Sequence, residues 1–140
     1  MAGPSRTYDL EVRVTFADTD AAGIIYYGRY FTYMEQGFLG LMKEAGFDYY
    51  RVDREFSLLF PAVEANCRYL SPARYDNLLT VKTWLSQAKG AQLRFESEIL
   101  KGETPIARAF TRHACVDKDT FRIARIPQPL LDAFQPYLAS

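Results

Sequence analysis

Histidine is nearly missing from this sequence: His113 is the only one, and cysteine occurs twice, as Cys67 and Cys115. With no second ligand type clustered beside His113, a metal site has no support. The cysteines form no Cys-x-x-Cys pair and no disulfide-dense spacing, so both read as small buried hydrophobes in a reducing compartment. No apolar run is long enough to span a bilayer, and Met1-Ala2-Gly3-Pro4-Ser5-Arg6 lacks the apolar region of a secretory signal. Net charge is also missing. Seventeen basic and 17 acidic side chains cancel, so no whole-protein field draws the chain to nucleic acid. These absences favour a cytoplasmic protein without membrane insertion or a nucleic-acid partner.

What is present is an ordinary globular composition, 49% hydrophobic and 24% charged. It suits one domain over residues 1–140 with a genuine core. Ten Tyr and ten Phe make a high aromatic load. Core packing is the plain explanation, and a flat-walled pocket for an acyl or aryl group is the sharper one.

Tyr8-Leu10-Val12-Val14-Phe16 alternates with Asp9-Glu11-Arg13-Thr15, a strand with one wet face. From about Arg29 to Ala45 the period becomes helical: Tyr30, Met34, Phe38, Leu41, Met42 and Ala45 share a stripe that Phe31, Tyr33 and Leu39 widen. Such a helix should be enclosed by other structure. Gly46 suits its end, while Gly37 and Gly40 point to close backbone approach by a neighbour. Residues 47–61 are irregular, with room for a short second helix. Four strand-like runs follow, at Val63–Tyr69, Leu78–Leu85, Ala91–Ile99 and Ile106–Val116, the last two joined by a hairpin turn at Lys101-Gly102-Glu103-Thr104. Pro127 and Pro129 bound a final short helix. The expected class is α+β, an antiparallel meander curling around one long central helix.

The most informative stretch runs from Asp18-Thr19-Asp20 through Ala21-Ala22-Gly23-Ile24-Ile25 to Tyr26-Tyr27-Gly28-Arg29-Tyr30-Phe31. It places a carboxylate ahead of a small-residue turn, an apolar run and a helix start. A helix N-terminus offers free N–H groups and partial positive charge to a developing oxyanion. A nearby carboxylate can attack, or activate water, at the carbon those donors polarise. Acyl transfer is the chemistry this order suggests. No serine stands in a nucleophile-elbow sequence, so the α/β-hydrolase route is not supported.

Phe16 to Tyr27 followed by Tyr30 resembles the signature of hotdog-fold acyl-CoA thioesterases, of the 4-hydroxybenzoyl-CoA thioesterase type and its Tol-Pal-associated, YbgC-like relatives. Tyr69-Leu70-Ser71-Pro72-Ala73-Arg74-Tyr75 and Cys115-Val116-Asp117 look like further landmarks. The resemblance covers about Tyr8 to Pro127. It implies a hotdog fold, an acyl-CoA substrate, no cofactor, and homodimers or homotetramers with active sites at the dimer interface. By that resemblance Asp20 is the catalytic carboxylate, as nucleophile or as general base for water; Asp18 reads as a residue that orients the loop or shares hydrogen bonds there. A histidine that one branch carries seven residues after the aspartate is here Tyr27, which leans toward the aryl-CoA side.

Several residues have rival readings. Tyr27 is expected to act through its backbone N–H while its ring packs. Gly28 allows close approach of substrate, or merely eases helix entry. Glu35 is a solvated helix glutamate or a polar contact to the acyl group. Lys89, before Gly90, is an ordinary surface cation or a partner for coenzyme A phosphates, with Arg94 a weaker candidate. His113 reads as a packed strand histidine. Release of a polyketide-type chain from a carrier protein and a non-catalytic acyl-CoA-binding module are the alternative functions.

Overall fold

In the computed structural model, which describes residues 3–139, the chain runs β1 (Tyr8–Arg13), α1 (Arg29–Glu44), α2 (Tyr49–Phe56), β2 (Leu58–Leu59), β3 (Ala62–Tyr69), β4 (Leu78–Lys89), β5 (Gln92–Lys101), β6 (Thr104–Ala114), β7 (Val116–Asp117) and α3 (Gln128–Phe134). The period-two stretches pair into one antiparallel five-stranded sheet ordered β1-β4-β5-β6-β3, with β2 and β7 forming a separate short pair. The expected meander of four successive strands holds for β4, β5 and β6 only. β3 crosses to the far side to pair with β6, which leaves β1 and β3 as the two edges. Gly102, at φ 60°, turns the β5–β6 hairpin where the sequence placed it.

Alternation then sorts the faces. Leu79, Val81, Thr83 and Leu85 of β4 and Leu93, Phe95, Ser97 and Ile99 of β5 are buried on the face that meets α1. Tyr30, Tyr33, Met34, Gly37, Leu41 and Met42 are the buried residues that α1 brings to that contact. The two helix glycines are explained by approach: a Cβ at Gly37 would run into the Thr83 side chain, and one at Gly40 into the Tyr8 ring. Two shorter helices accompany the sixteen-residue α1: α2 forms in the stretch with room for one, and α3 follows Pro127. Leu130 and Phe134 of α3, with Tyr137 beyond it, close the core near Leu85 and Leu93. Among the described residues no helix is long and apolar enough to cross a membrane.

β1 is shorter than its alternation suggests. It ends at Arg13, and Phe16–Asp18 form a 3-10 turn that leaves the Phe16 ring 78% exposed. The physical reason is Asp18, whose carboxylate accepts the Thr15 N–H over 2.9 Å and pulls the chain out of the strand.

Candidate active site

The two aspartates of the Asp18-Thr19-Asp20 stretch have opposite environments. Asp18 is only 3% exposed, and its carboxylate is surrounded by donors. The Tyr33 hydroxyl donates to Oδ2 over 2.9 Å, and the Arg29 guanidinium reaches Oδ1 at 2.8 and 2.7 Å. Burial pushes the Asp18 carboxyl up, but the Thr15 N–H, Tyr33 and Arg29 outweigh it and hold the group below its ordinary value. Its backbone oxygen also accepts the Tyr26 N–H over 2.8 Å. Asp18 thus ties the loop to the first two turns of α1.

Asp20 is exposed on the turn that Asp18 anchors. Its Oδ1 accepts the Ala22 N–H over 2.9 Å, its N–H donates to the Ile24 oxygen, and its oxygen accepts the Gly23 N–H. Gly23 at φ 78° supplies the left-handed residue this turn needs. The other Asp20 oxygen points to no donor among the described residues. The rings of Tyr26 and Tyr27 pack against each other with centroids 4.6 Å apart. The Tyr27 hydroxyl raises the Tyr26 pKa, and the charge of Asp20 adds to that rise. The backbone brings this turn back toward the start of α1: Thr19 bridges Ile25, and the Asp18 oxygen accepts the Tyr26 N–H.

Gly28 is the N-cap of α1 and has no side chain to cap it. Among the described residues, the N–H groups of Tyr27 and Gly28 donate to nothing. The Tyr26 oxygen accepts the Arg29 N–H at 2.9 Å, and the Tyr27 oxygen accepts the Tyr69 hydroxyl at 2.9 Å. A Cβ at Gly28 would lie 2.8 Å from the Tyr26 ring, so the site has room for glycine only while that ring stays put. Beside these amides opens a hollow of about 290 Å³ lined by Ile24, Tyr27, Tyr30, Tyr69, Leu70 and Pro72 among others. No charged side chain lines it. Burial pushes the Tyr30 phenol up to about 12, and burial with the neighbouring Cys67 does the same for Tyr69, so both are neutral walls that can still donate.

The remaining candidates lie elsewhere. Glu35 is exposed seven residues along α1 from Gly28, a rise of ~10 Å. It lines a separate hollow of about 380 Å³ with Phe38, Leu39, Tyr49 and Tyr50. Lys89 is exposed at the β4–β5 turn. The loop carrying Asp20 docks near the other end of β4, through the Ile25–Ala73 and Val14–Asn77 bonds, so Lys89 is ~36 Å away along the strand. Arg94 is held over the Phe110 ring and pairs with Glu96 on the opposite face of the sheet from α1. A further hollow, about 450 Å³ with Trp84, Glu98 and Arg108 in its wall, is on that face too and away from Asp20.

His113 is buried, with Nδ1 2.9 Å from the Phe60 oxygen and Nε2 2.9 Å from the Thr111 hydroxyl. A carbonyl only accepts, so Nδ1 carries the proton and Nε2 accepts from Thr111. Burial lowers its pKa, and the residue is a core histidine. Cys115 is buried as expected, but Cys67 is only half-buried because its strand, β3, is a sheet edge.

Arg29, Tyr33 and Tyr69 are participants that sequence reasoning passed over. Arg29 and Tyr33 stand one helical turn apart at the start of α1, a spacing that puts both on one face. Nothing local links the Tyr69 hydroxyl to a carbonyl 42 residues earlier.

The model of a family described as the thioesterase-like superfamily matches residues 14–134. A putative acyl-CoA thioesterase, YneP of Bacillus subtilis, is 34% identical over 114 residues, 80% of this chain and 81% of that protein. The acyl-CoA thioesterase YbgC of Haemophilus influenzae is 29% identical over 127 residues, 91% of this chain and 93% of the other. Among solved structures, a 1,4-dihydroxy-2-naphthoyl-CoA thioesterase from Synechocystis superposes with a TM-score of 0.84 at 25% identity, covering 92% of this chain and 96% of the other.

Proposed function

The chain belongs to the thioesterase-like superfamily, and from that premise we propose that it is an acyl-CoA thioesterase that hydrolyses an aryl- or short acyl-CoA to the free acid and CoA. One observation carries the reading. An exposed carboxylate, Asp20, stands on the loop that Asp18 ties to the start of α1, where the Tyr27 and Gly28 N–H groups are unpartnered among the described residues beside an uncharged aromatic hollow.

In this reading the thioester oxygen lies on the Tyr27 N–H and the acyl group in the 290 Å³ hollow. Negative charge building on that oxygen is met by oriented donors that need no reorganisation, the kind of preorganisation whose loss costs ~10²–10³ in rate per donor. Asp20 acts in one of two ways. As nucleophile it forms a mixed anhydride with the acyl carbon and expels CoA as thiolate, after which water returns the carboxylate and releases the acid. As general base it takes a proton from water while that water attacks the same carbon. Gly28 keeps the approach open.

We place the whole described chain in one hotdog domain, with α1 as the central helix in the curve of the sheet. A second copy completes the protein. β3 is an edge strand without Pro or Lys, and Val63 on it is 58% exposed. Such an edge is a template for pairing. Within one chain Lys89, ~36 Å along β4 from the end where the Asp20 loop docks, is too distant to serve Asp20, so its part in holding CoA phosphates, like the contact of Glu35 with the acyl group, belongs to a site shared between copies.

The test is turnover of purified protein on a panel of acyl-CoAs with a thiol reagent, alongside the same acyl groups on a carrier protein. Release of CoA from aryl- or short acyl-CoA is the expected result. Tight binding without release across the panel would replace it with a non-catalytic module, and turnover restricted to carrier-bound thioesters with a carrier-specific enzyme.

A further inference from the structure

The amides at the start of α1 are aimed from their carbonyl sides. A trans peptide is planar, so its N–H points opposite its C=O. The Tyr26 carbonyl is held by the Arg29 N–H, which sets the direction of the Tyr27 N–H. The Tyr27 carbonyl is held by the Tyr69 hydroxyl over 2.9 Å, which sets the direction of the Gly28 N–H. The first restraint is a local turn. The second arrives from the end of β3, 42 residues along the chain.

We propose that Tyr69 is a positioning residue for the oxyanion donors: its hydroxyl grips the Tyr27 carbonyl, fixes the Tyr27–Gly28 peptide plane and turns the Gly28 N–H into a second donor beside that of Tyr27. The inference rests on the thioesterase reading above and adds to it a residue and a donor. Hydrogen bonding at a carbonyl polarises its peptide, which strengthens the N–H at the other side. Tyr69 is suited to the task because its ring is itself held. It packs edge-to-face on Tyr30 at 5.1 Å, and the next two residues are pinned by Leu70 and Ser71 N–H bonds to the Ile106 oxygen. The Tyr69 phenol, pushed up to about 12, remains a donor throughout the neutral range. Among the described residues the Tyr27 oxygen has no other donor.

Tyr69→Phe keeps the ring against Tyr30 and removes the hydroxyl, with its grip on the Tyr27 carbonyl and its contact to the Cys67 thiol. The expected result is a fall in kcat of ~10-fold or more, short of the ~10²–10³-fold for outright loss of a donor, with KM and melting temperature near wild type. The Gly28 amide resonance in a 1H–15N spectrum is expected to move. An unchanged kcat overturns the inference. So does a raised KM with intact kcat, which makes the hydroxyl a substrate contact. Wild-type protein inactive on every acyl-CoA overturns the thioesterase reading instead, and the Gly28 resonance then still decides the geometry: a signal that does not move in Tyr69→Phe overturns the positioning role by itself.

Discussion

The Tyr33 hydroxyl donates to the Asp18 carboxylate over 2.9 Å, joining the second turn of α1 to the loop that carries Asp20. Arg29 completes the clamp from the first turn. A buried carboxylate with these donors is an anchor, and the aspartate two residues on is left free at the surface. Asp18→Asn is therefore expected to destabilise the fold by ~1–3 kcal/mol, because hydrogen bonds to a charged group are lost and their donors left poorly matched. Tyr33→Phe is expected to lose less, about 1 kcal/mol. Chemical denaturation of both variants checks the order. Asp18→Asn more stable than Tyr33→Phe contradicts it.

The clamp also sets an acid limit. Asp18 is held below its ordinary value of 3.8, so the unfolded chain binds its proton first as pH falls. The stability Asp18 contributes is present above pH 3.8 and disappears as pH drops through that value toward the lower folded one. Unfolding free energy of wild type against Asp18→Asn between pH 6 and 3 is expected to converge toward acid. A constant gap removes the charge from the explanation.

His113 works on the other side of acidity. Burial lowers its pKa below 6.5 in the fold, so stability is full above about pH 6.5, the unfolded value, and falls as pH drops through it. It is the only histidine in the chain, which makes the signal assignable. Melting temperatures from pH 8 to 5 are expected to fall more steeply for wild type than for His113→Gln. Parallel curves contradict the buried neutral imidazole.

The Thr83 hydroxyl is buried with no hydrogen-bond partner among the described residues, facing Gly37 of α1. Thr83→Val removes an unsatisfied group at nearly constant shape and is expected to raise stability by about 1 kcal/mol. Gly37→Ala forces a Cβ into the same space and is expected to lower it by ~1–3 kcal/mol, the usual cost of overpacking. A destabilised Thr83→Val means that the hydroxyl has found an acceptor on the helix.

How far these features could be read in advance depends on their range. The helix from Arg29, its glycine approaches and the hairpin at Gly102 follow from local periodicity and backbone freedom, and they stand as the sequence suggests. The Asp20 turn was legible for the same reason, since Asp and Gly at that spacing encode a turn. The early end of β1 was not, because Thr15 and Phe16 alternate well and only the Asp18 carboxylate pulls them away. The crossing of β3 to the far edge was hidden as well: pairing with β6 instead of β4 is a choice between partners that alternation does not distinguish. The Tyr69–Tyr27 bond belongs with these, as a contact between distant segments that leaves no mark on either.

Gly28 gives a test of the approach to the amides. At φ −70° any residue fits the backbone, but a Cβ meets the Tyr26 ring at 2.8 Å. Because that ring is partly exposed and can swing, Gly28→Ala is expected to fold normally while losing roughly 10–100-fold in kcat/KM, the scale of a small misplacement near reacting atoms. Steady-state kinetics with circular dichroism checks both halves. Full activity with the alanine in place makes Gly28 a helix-entry residue only.

The exposed carboxylate of Asp20 is the group proposed to carry the reaction. The direct measurement is kcat of Asp20→Asn on whichever acyl-CoA wild type turns over fastest, with folding verified by its melting temperature. The expected result is a loss of ~10²–10⁴-fold with the fold intact. Turnover within a few-fold of wild type contradicts this role for Asp20 and moves the chemistry to another group.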